Sequence, residues 1–286
     1  MSIYKKALAS ALFFAALAYV SICGYMFVAQ RGMQYRPNTT PLNPGTALSR
    51  APDRIPQQST LLTRDEQKVI VWWIAPSDPM KPVFLYFHGN GANLENRAAR
   101  FARLTESGAG LLAVSYRGYG GSTGAPTEAG LRIDTRTAYD ELVRAKKIDP
   151  KRIIVFGESL GTTLATLLAA EVPVGGLLLD SSFDSALAVA QNAYPWLPVR
   201  WLLLDQYRAD LAAPQVSAPV QQIHCRDDPV TPLALARTLN ARFANAAEIH
   251  IIERRCHVPS FDEFSSVARA FATRVSARAA EGVAPK

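Results

Sequence analysis

Two lysines, Lys5 and Lys6, precede an uncharged and almost wholly apolar run over residues 7–29. A helix of that length reaches about 34 Å at ~1.5 Å per residue, enough to cross a hydrocarbon core. A cleaved signal peptide has a shorter apolar region, about 7 to 15 residues. Here Tyr25, Met26, Phe27 and Val28 keep the run apolar, and no small-x-small site closes it before Gln30 and Arg31. Lipid attachment at Cys23 is disfavoured by Ile22, which stands where such processing wants a small residue. The pattern therefore predicts an uncleaved signal anchor over 1–29. Residues 30–66 are rich in Pro, Asn, Thr and Arg with little periodicity, and read as a linker and lead-in segment packing onto the main domain.

Beyond residue 66 the pattern becomes an alternation of short β-type runs and amphipathic stretches. Strands are predicted at 69–75, 83–87, 111–116, 153–156, 177–179, 220–224 and 249–252. Helices are predicted at 94–106, 131–145, 233–243 and 261–275, with another opening at Ser159. This alternation is the signature of an α/β domain, over 67–278, with a mostly parallel sheet and helices on both faces. The interval 183–215 reads as a short helical cap. Its Tyr194, Trp196, Leu197, Trp201, Leu202, Leu203 and Leu204 either line an acyl pocket or hold the insert onto the core. Residues 279–286 are expected to form a flexible tail. No internal repeat is present.

Composition narrows the class. With 49% hydrophobic and 19% charged residues, the chain is neither disordered nor a multi-span transporter. Three cysteines are too few for a disulfide-built scaffold, and no C-x-x-C pair suggests a structural zinc site. The formal net charge of +7 suits an anionic membrane surface or nucleic acid. Its cations are spread rather than clustered beside aromatics, however, so a solvated basic surface is the better reading and no nucleic-acid partner is expected. Charge hardly fixes topology: Lys5, Lys6 and the amino terminus on one side of the span face Arg31 and Arg36 on the other. A short N-terminus before one span favours an exported, periplasmic or extracytoplasmic, C-terminal domain.

The candidate chemistry lies at the ends of predicted strands. Gly157-Glu158-Ser159-Leu160-Gly161 is a G-x-S-x-G sequence that follows one strand directly and opens a helix. A serine on such a turn is held in strained backbone angles beside unpaired helix N–H groups, which suits a nucleophile better than a Gly-flanked cap. A hydroxyl needs a base and an orienting acid. Of four histidines, His88 lies in a glycine-containing loop able to present an N–H, His224 ends a strand and His250 sits mid-strand. His257 follows the last strand at the edge expected for a catalytic loop, and is the base. Asp227 and Asp228 follow the penultimate strand, and one can orient the imidazole while the other caps the helix near Thr231. Asp180 and Asp184 read as turn or cap residues. There is no histidine pair at metal spacing and no dinucleotide-type glycine loop after the first strand, so neither metal nor organic cofactor is expected.

With Gln34-Tyr35-Arg36-Pro37, His88-Gly89-Asn90-Gly91-Ala92-Asn93 and Tyr116-Arg117-Gly118-Tyr119-Gly120-Gly121-Ser122 added to the serine, acid and base segments, the chain resembles α/β-hydrolase fold serine hydrolases. It is most similar to their small membrane-anchored branch, which resembles depalmitoylases, lysophospholipases and peptidase-like hydrolases, from about residue 30 to the last helix. The resemblance implies that the acid is Asp228 and that the N–H groups of Leu160 and Asn90 form an oxyanion hole. Cys225 and Cys256 replace two glycines of the family pattern, one in the acid loop and one just before the base. Neighbouring strands carry them, so they are either a disulfide tying the two loops together or two small buried thiols. A disulfide would imply an oxidising compartment.

The implied activity is cleavage of a carboxylic ester or thioester, lipid or lipidated substrates included, through an acyl-enzyme on Ser159. His257 must be neutral to accept the proton, so kcat/KM should fall as pH drops through the range where imidazole protonates. A serine peptidase is the rival enzyme, though the chain has no room for a propeller or large cap. A non-catalytic membrane-anchored interaction domain is the rival outside enzymes, but such a module needs no Ser, Asp and His together.

Overall fold

The computed structural model describes residues 3–45, 54–245 and 248–281. Among them, eight strands form one sheet. They are β1 (Gln57–Leu62), β2 (Lys68–Ile74), β3 (Val83–Phe87), β4 (Gly110–Ser115), β5 (Ile153–Glu158), β6 (Gly176–Asp180), β7 (Val220–Cys225) and β8 (Glu248–Ile252). Their order is β1-β2-β4-β3-β5-β6-β7-β8. Strand β2 runs antiparallel to β1 and β4, and all other neighbours are parallel.

Parallel strands covered on both faces must be apolar at successive positions, and β3 (Val-Phe-Leu-Tyr-Phe) is buried throughout. Its residues alternate between two cores. Val83, Leu85 and Phe87 pack with Leu131 of α3 (Glu128–Asp140), Leu164 of α4 (Leu160–Glu171) and Leu239 of α8 (Leu233–Asn240). Phe84 and Tyr86 pack with Phe101 and Leu104 of α2 (Ala98–Thr105) and with Phe264 and Phe271 of α9 (Phe261–Glu281). Between β6 and β7 lie only short helices, α5 (Ala186–Ala193), α6 (Val199–Leu202) and α7 (Ala209–Ala212), in the interval expected to form the cap.

Three boundaries differ from the sequence reading. The linker expected over 30–66 contains β1, an exposed edge strand whose residues, Gln-Gln-Ser-Thr-Leu-Leu, show no alternation because only its pairing with β2 matters. Helix α1 (Ile3–Gln34) continues past residue 29, and it is the one described helix long and apolar enough to cross a membrane. Its tail end packs on the domain through the buried Gln30, and the next residue after the helix, Tyr35, is buried with its hydroxyl 2.7 Å from that of Tyr207. Helix α9 runs through Glu281, so the tail expected from 279 begins inside a helix, and its remainder, 282–286, lies outside the described residues, as do 46–53 of the linker.

Candidate active site

Ser159 sits on the β5–α4 turn with φ 50° and ψ −117°, a conformation that L-residues rarely adopt. Its neighbours explain how the turn closes. A Cβ on Gly157 would stand 2.4 Å from the Gly161 carbonyl oxygen, and one on Gly161 would stand 2.1 Å from that of Phe87. Only hydrogen fits at either place, so the turn packs against itself and against the end of β3. The Ser159 N–H donates to the Asp180 carbonyl at 2.8 Å, which fastens the strained residue to β6.

The Ser159 hydroxyl lies 2.9 Å from His257 Nε2, and His257 Nδ1 lies 2.8 Å from Asp228 Oδ2. The carboxylate can only accept, so Nδ1 carries the proton and Nε2 is left to accept from the serine. Asp228 also receives the Val230 and Thr231 N–H groups on Oδ1, at 2.8 and 2.9 Å, and the Thr231 hydroxyl on Oδ2. Burial opposes its ionisation, but the bonds from His257, Thr231 and Val230 outweigh burial and hold the carboxyl below its usual range. One carboxylate thus both orients the imidazole and caps the following turn. The division of labour expected between Asp227 and Asp228 does not occur, and Asp227 is exposed.

Asn90 and Leu160 border the same cavity as Ser159. The loop carrying Asn90 is pinned from several sides. Its carbonyl accepts from Tyr119 Oη at 2.8 Å and from the Arg36 N–H at 3.1 Å, and its side-chain amide donates to the Gln34 carbonyl at 3.2 Å. Arg36 and Pro37 pair in parallel with Gly91 and Ala92, so the chain leaving α1 braces this loop directly.

The remaining histidines have other partners. His88 is fully buried against Tyr116 and Tyr119 and donates Nδ1–H to the Gly89 carbonyl, and burial pushes its pKa down to about 3. His224 is likewise buried, donates Nε2–H to the Thr231 carbonyl at 2.8 Å, and is shifted down by burial. His250 is exposed on β8.

Beneath the serine lies a buried charge cluster that no local pattern announces. Glu158 accepts from Arg97 at 2.7 Å and from the Tyr86 hydroxyl at 2.5 Å, and has Arg100 Nε at 3.7 Å. Arg100 pairs with Asp180, in place of the turn or cap role expected for that carboxylate, and reaches the Pro259 carbonyl at 3.4 Å. Arg97 donates to the Gly91 and Asn93 carbonyls at 3.0 and 3.1 Å. Asp184 accepts the Ser185 N–H at 2.8 Å, a turn role. Cys225 and Cys256 form a disulfide with Cα atoms 5.6 Å apart, joining the end of β7 to the segment before His257.

A cavity of about 290 Å³ leads to Ser159. Its walls are mainly apolar, with Phe183 and Val189 beside Tyr194, Leu197, Leu202 and Leu203 of the cap. Trp196, Trp201 and Leu204 do neither job expected of them: they are 54%, 83% and 50% exposed. The sequence also gave no hint that Met26, Gln30 and Met33 of α1 would form part of the wall.

A sheet of this order with a serine on the β5–α4 turn defines the alpha/beta hydrolase fold, and the chain belongs to that family. The family's sequence model matches residues 82–218. An uncharacterized protein of Mycobacterium tuberculosis is 34% identical over 230 residues, 80% of each chain. The lysophosphatidylserine lipase ABHD12 of Danio rerio is 30% identical over 188 residues, 59% of this chain and 49% of its own. Among solved structures, the esterase Pf2001 of Pyrococcus furiosus superposes with a TM-score of 0.67 at 19% identity, over 84% of this chain and 98% of that one, a likeness of fold.

Proposed function

We propose that the protein is a membrane-anchored serine hydrolase that cleaves a carboxylic ester or thioester through an acyl-enzyme on Ser159. The observation that carries this reading is the continuous hydrogen-bonded series Ser159–His257–Asp228, at 2.9 and 2.8 Å, at the end of an apolar cavity. Ser159 Oγ attacks the substrate carbonyl carbon while its proton passes to His257 Nε2. The oxygen that becomes negative is stabilised by the N–H groups of Leu160 and Asn90. Collapse of the tetrahedral adduct releases the alcohol or thiol, which takes the proton from His257. Water, deprotonated by the same imidazole, then frees the acid and restores the serine. The apolar lining suits an acyl chain, and the lipase relative favours the same class of substrate. Helix α1 anchors the domain on the exported side of a membrane, a placement that agrees with a disulfide.

The test is kcat/KM over a series of acyl esters and thioesters of increasing chain length, with Ser159→Ala alongside. The expected result is a fall of at least about 10³-fold in the alanine variant with the fold retained. Turnover equal to that of the variant at every chain length overturns the reading.

A further inference from the structure

The cap and α1 are locked side by side over a length that has a consequence in a bilayer. The Gln34 amide donates to the Asp205 carbonyl at 3.0 Å, and Arg31 pairs with Asp205 at 3.0 Å. Gln30 donates to the Leu202 carbonyl at 3.1 Å and accepts the Leu204 N–H at 2.8 Å. Further down the helix the Tyr19 hydroxyl donates to the Trp196 carbonyl at 3.0 Å. Cys23 and Met26 pack between these points on Leu187, Leu197 and Val199. At ~1.5 Å per residue, Tyr19 lies about 15 Å inside the end of the uncharged run over 7–29. Since α1 is unbroken over Ile3–Gln34, it cannot span a hydrocarbon core about 30 Å thick without carrying the cap tip below the surface of one leaflet.

The cap surface fits that surrounding. Between Asp184 and Asp205 the only charged residue is Arg200, whose long stem can reach the headgroups. Trp201 and Trp196 are the indoles left exposed, the side chain enriched where membrane meets water. The cavity that ends at Ser159 runs in the seam between the two elements, walled by Met26, Gln30 and Met33 on one side and Tyr194, Leu197 and Leu203 on the other. Of its α1 wall, Met26 lies about 4–5 Å inside the end of the uncharged run and Gln30 and Met33 just beyond it, so the seam opens at the edge of the leaflet.

We propose that the cap face bearing Trp196, Trp201 and Leu204 seats in the bilayer leaflet, and that the seam between cap and α1 takes the acyl chain of a membrane-resident amphiphile directly from that leaflet. The proposal rests on reading α1 as membrane-spanning and Ser159 as the nucleophile. The ester then meets Ser159 near the headgroup level, where Gln34 and Asn90 lie. The helix is thus part of the specificity pocket as well as a tether.

Two measurements on the full chain test this. The first places Ser159→Ala protein in phosphatidylcholine/phosphatidylglycerol vesicles whose acyl chains carry bromine at mid-depth, and reads tryptophan fluorescence. Quenching that disappears in Trp196→Phe/Trp201→Phe is expected. No quenching, or quenching undiminished in that double variant, overturns the seating. Because the alanine protein does not turn over, quenching found alongside an inactive wild type upholds the seating and removes only the hydrolase reading. The second compares a long-chain ester carried in vesicles with a short soluble ester. Met26→Trp is expected to lower the long-to-short ratio of kcat/KM at least tenfold, and Val28→Trp, at an exposed α1 position outside the cavity wall, to keep it within threefold. A ratio unchanged by tryptophan overturns the role of the α1 wall.

Discussion

At the scale of single residues, the unusual feature is that Ser159 is held on a platform of charge. Burial would raise the Glu158 carboxyl, but the guanidiniums of Arg97 and Arg100 and the Tyr86 hydroxyl more than compensate and hold it far below the usual carboxylate range. A depressed folded-state pKa means that this stabilisation is complete above the unfolded value, near ~4.3, and is lost as pH falls toward the folded one. Wild type should therefore lose unfolding free energy steadily below about pH 4.5. Glu158→Gln leaves two guanidiniums short of a buried partner and should cost about 3–5 kcal/mol at neutral pH, with a flatter acid limb. Urea midpoints from pH 3 to 7 for both proteins check both parts, and parallel limbs would contradict the assignment. Arg97 also holds the Gly91 and Asn93 carbonyls, so kcat should fall with the substitution more than KM changes. None of this platform was legible in the sequence. Ser159, Asp228 and His257 each follow a recognisable strand and carry their chemistry in their type. Glu158, Arg97, Arg100 and Asp180 meet only because β3, β5 and β6 are neighbours, and no local pattern tells a buried arginine from a solvated one.

At the scale of elements, local apolar content decided what could be read. Strand β3 was legible to the residue because all its positions are buried, whereas β1 was missed because its side chains are almost all exposed. The cap's location was legible from its neighbours, but the exposure of its tryptophans was not, since apolar content alone does not say what covers a surface. The Cys225–Cys256 bridge combines the two kinds of information. Register pairs Ile252 with Cys225, and the chain turns back to bring Cys256 beside it, so the loops carrying Asp228 and His257 are joined across the two outermost parallel strands. The sequence separation is 31, and the chain-entropy model assigns a loop of that size about 3–4 kcal/mol. Cys225→Ala/Cys256→Ala should lower stability by that order and loosen the hydrogen bonds of His257. The unreduced, unfolded protein should show one reactive thiol, Cys23, where the reduced protein shows three. Three thiols without reductant would exclude the bridge.

At the scale of the whole molecule, the apolar helix and the α/β domain are tied together as one mechanical unit. The chain leaving α1 braces the Asn90 loop through Arg36, and α1 itself holds the cap through Gln30, a glutamine only 8% exposed. Gln30 is the hinge point of this arrangement, because its single amide donates to Leu202 and accepts from Leu204 across the seam. Gln30→Ala removes both bonds and leaves the Leu204 N–H and Leu202 carbonyl to find other partners, at about 1–3 kcal/mol. That cost falls on the cap alone, because α5 and α6 contribute nothing to the sheet and their own cluster is small. Amide exchange in bilayer-mimicking micelles should therefore accelerate at least about fivefold over 197–206, while β3, β5 and β6 keep the protection of wild type. Faster exchange spread evenly over the sheet would mean that the helix stabilises the domain globally rather than holding the cap, and equal exchange everywhere would mean that the seam is closed by packing without the glutamine.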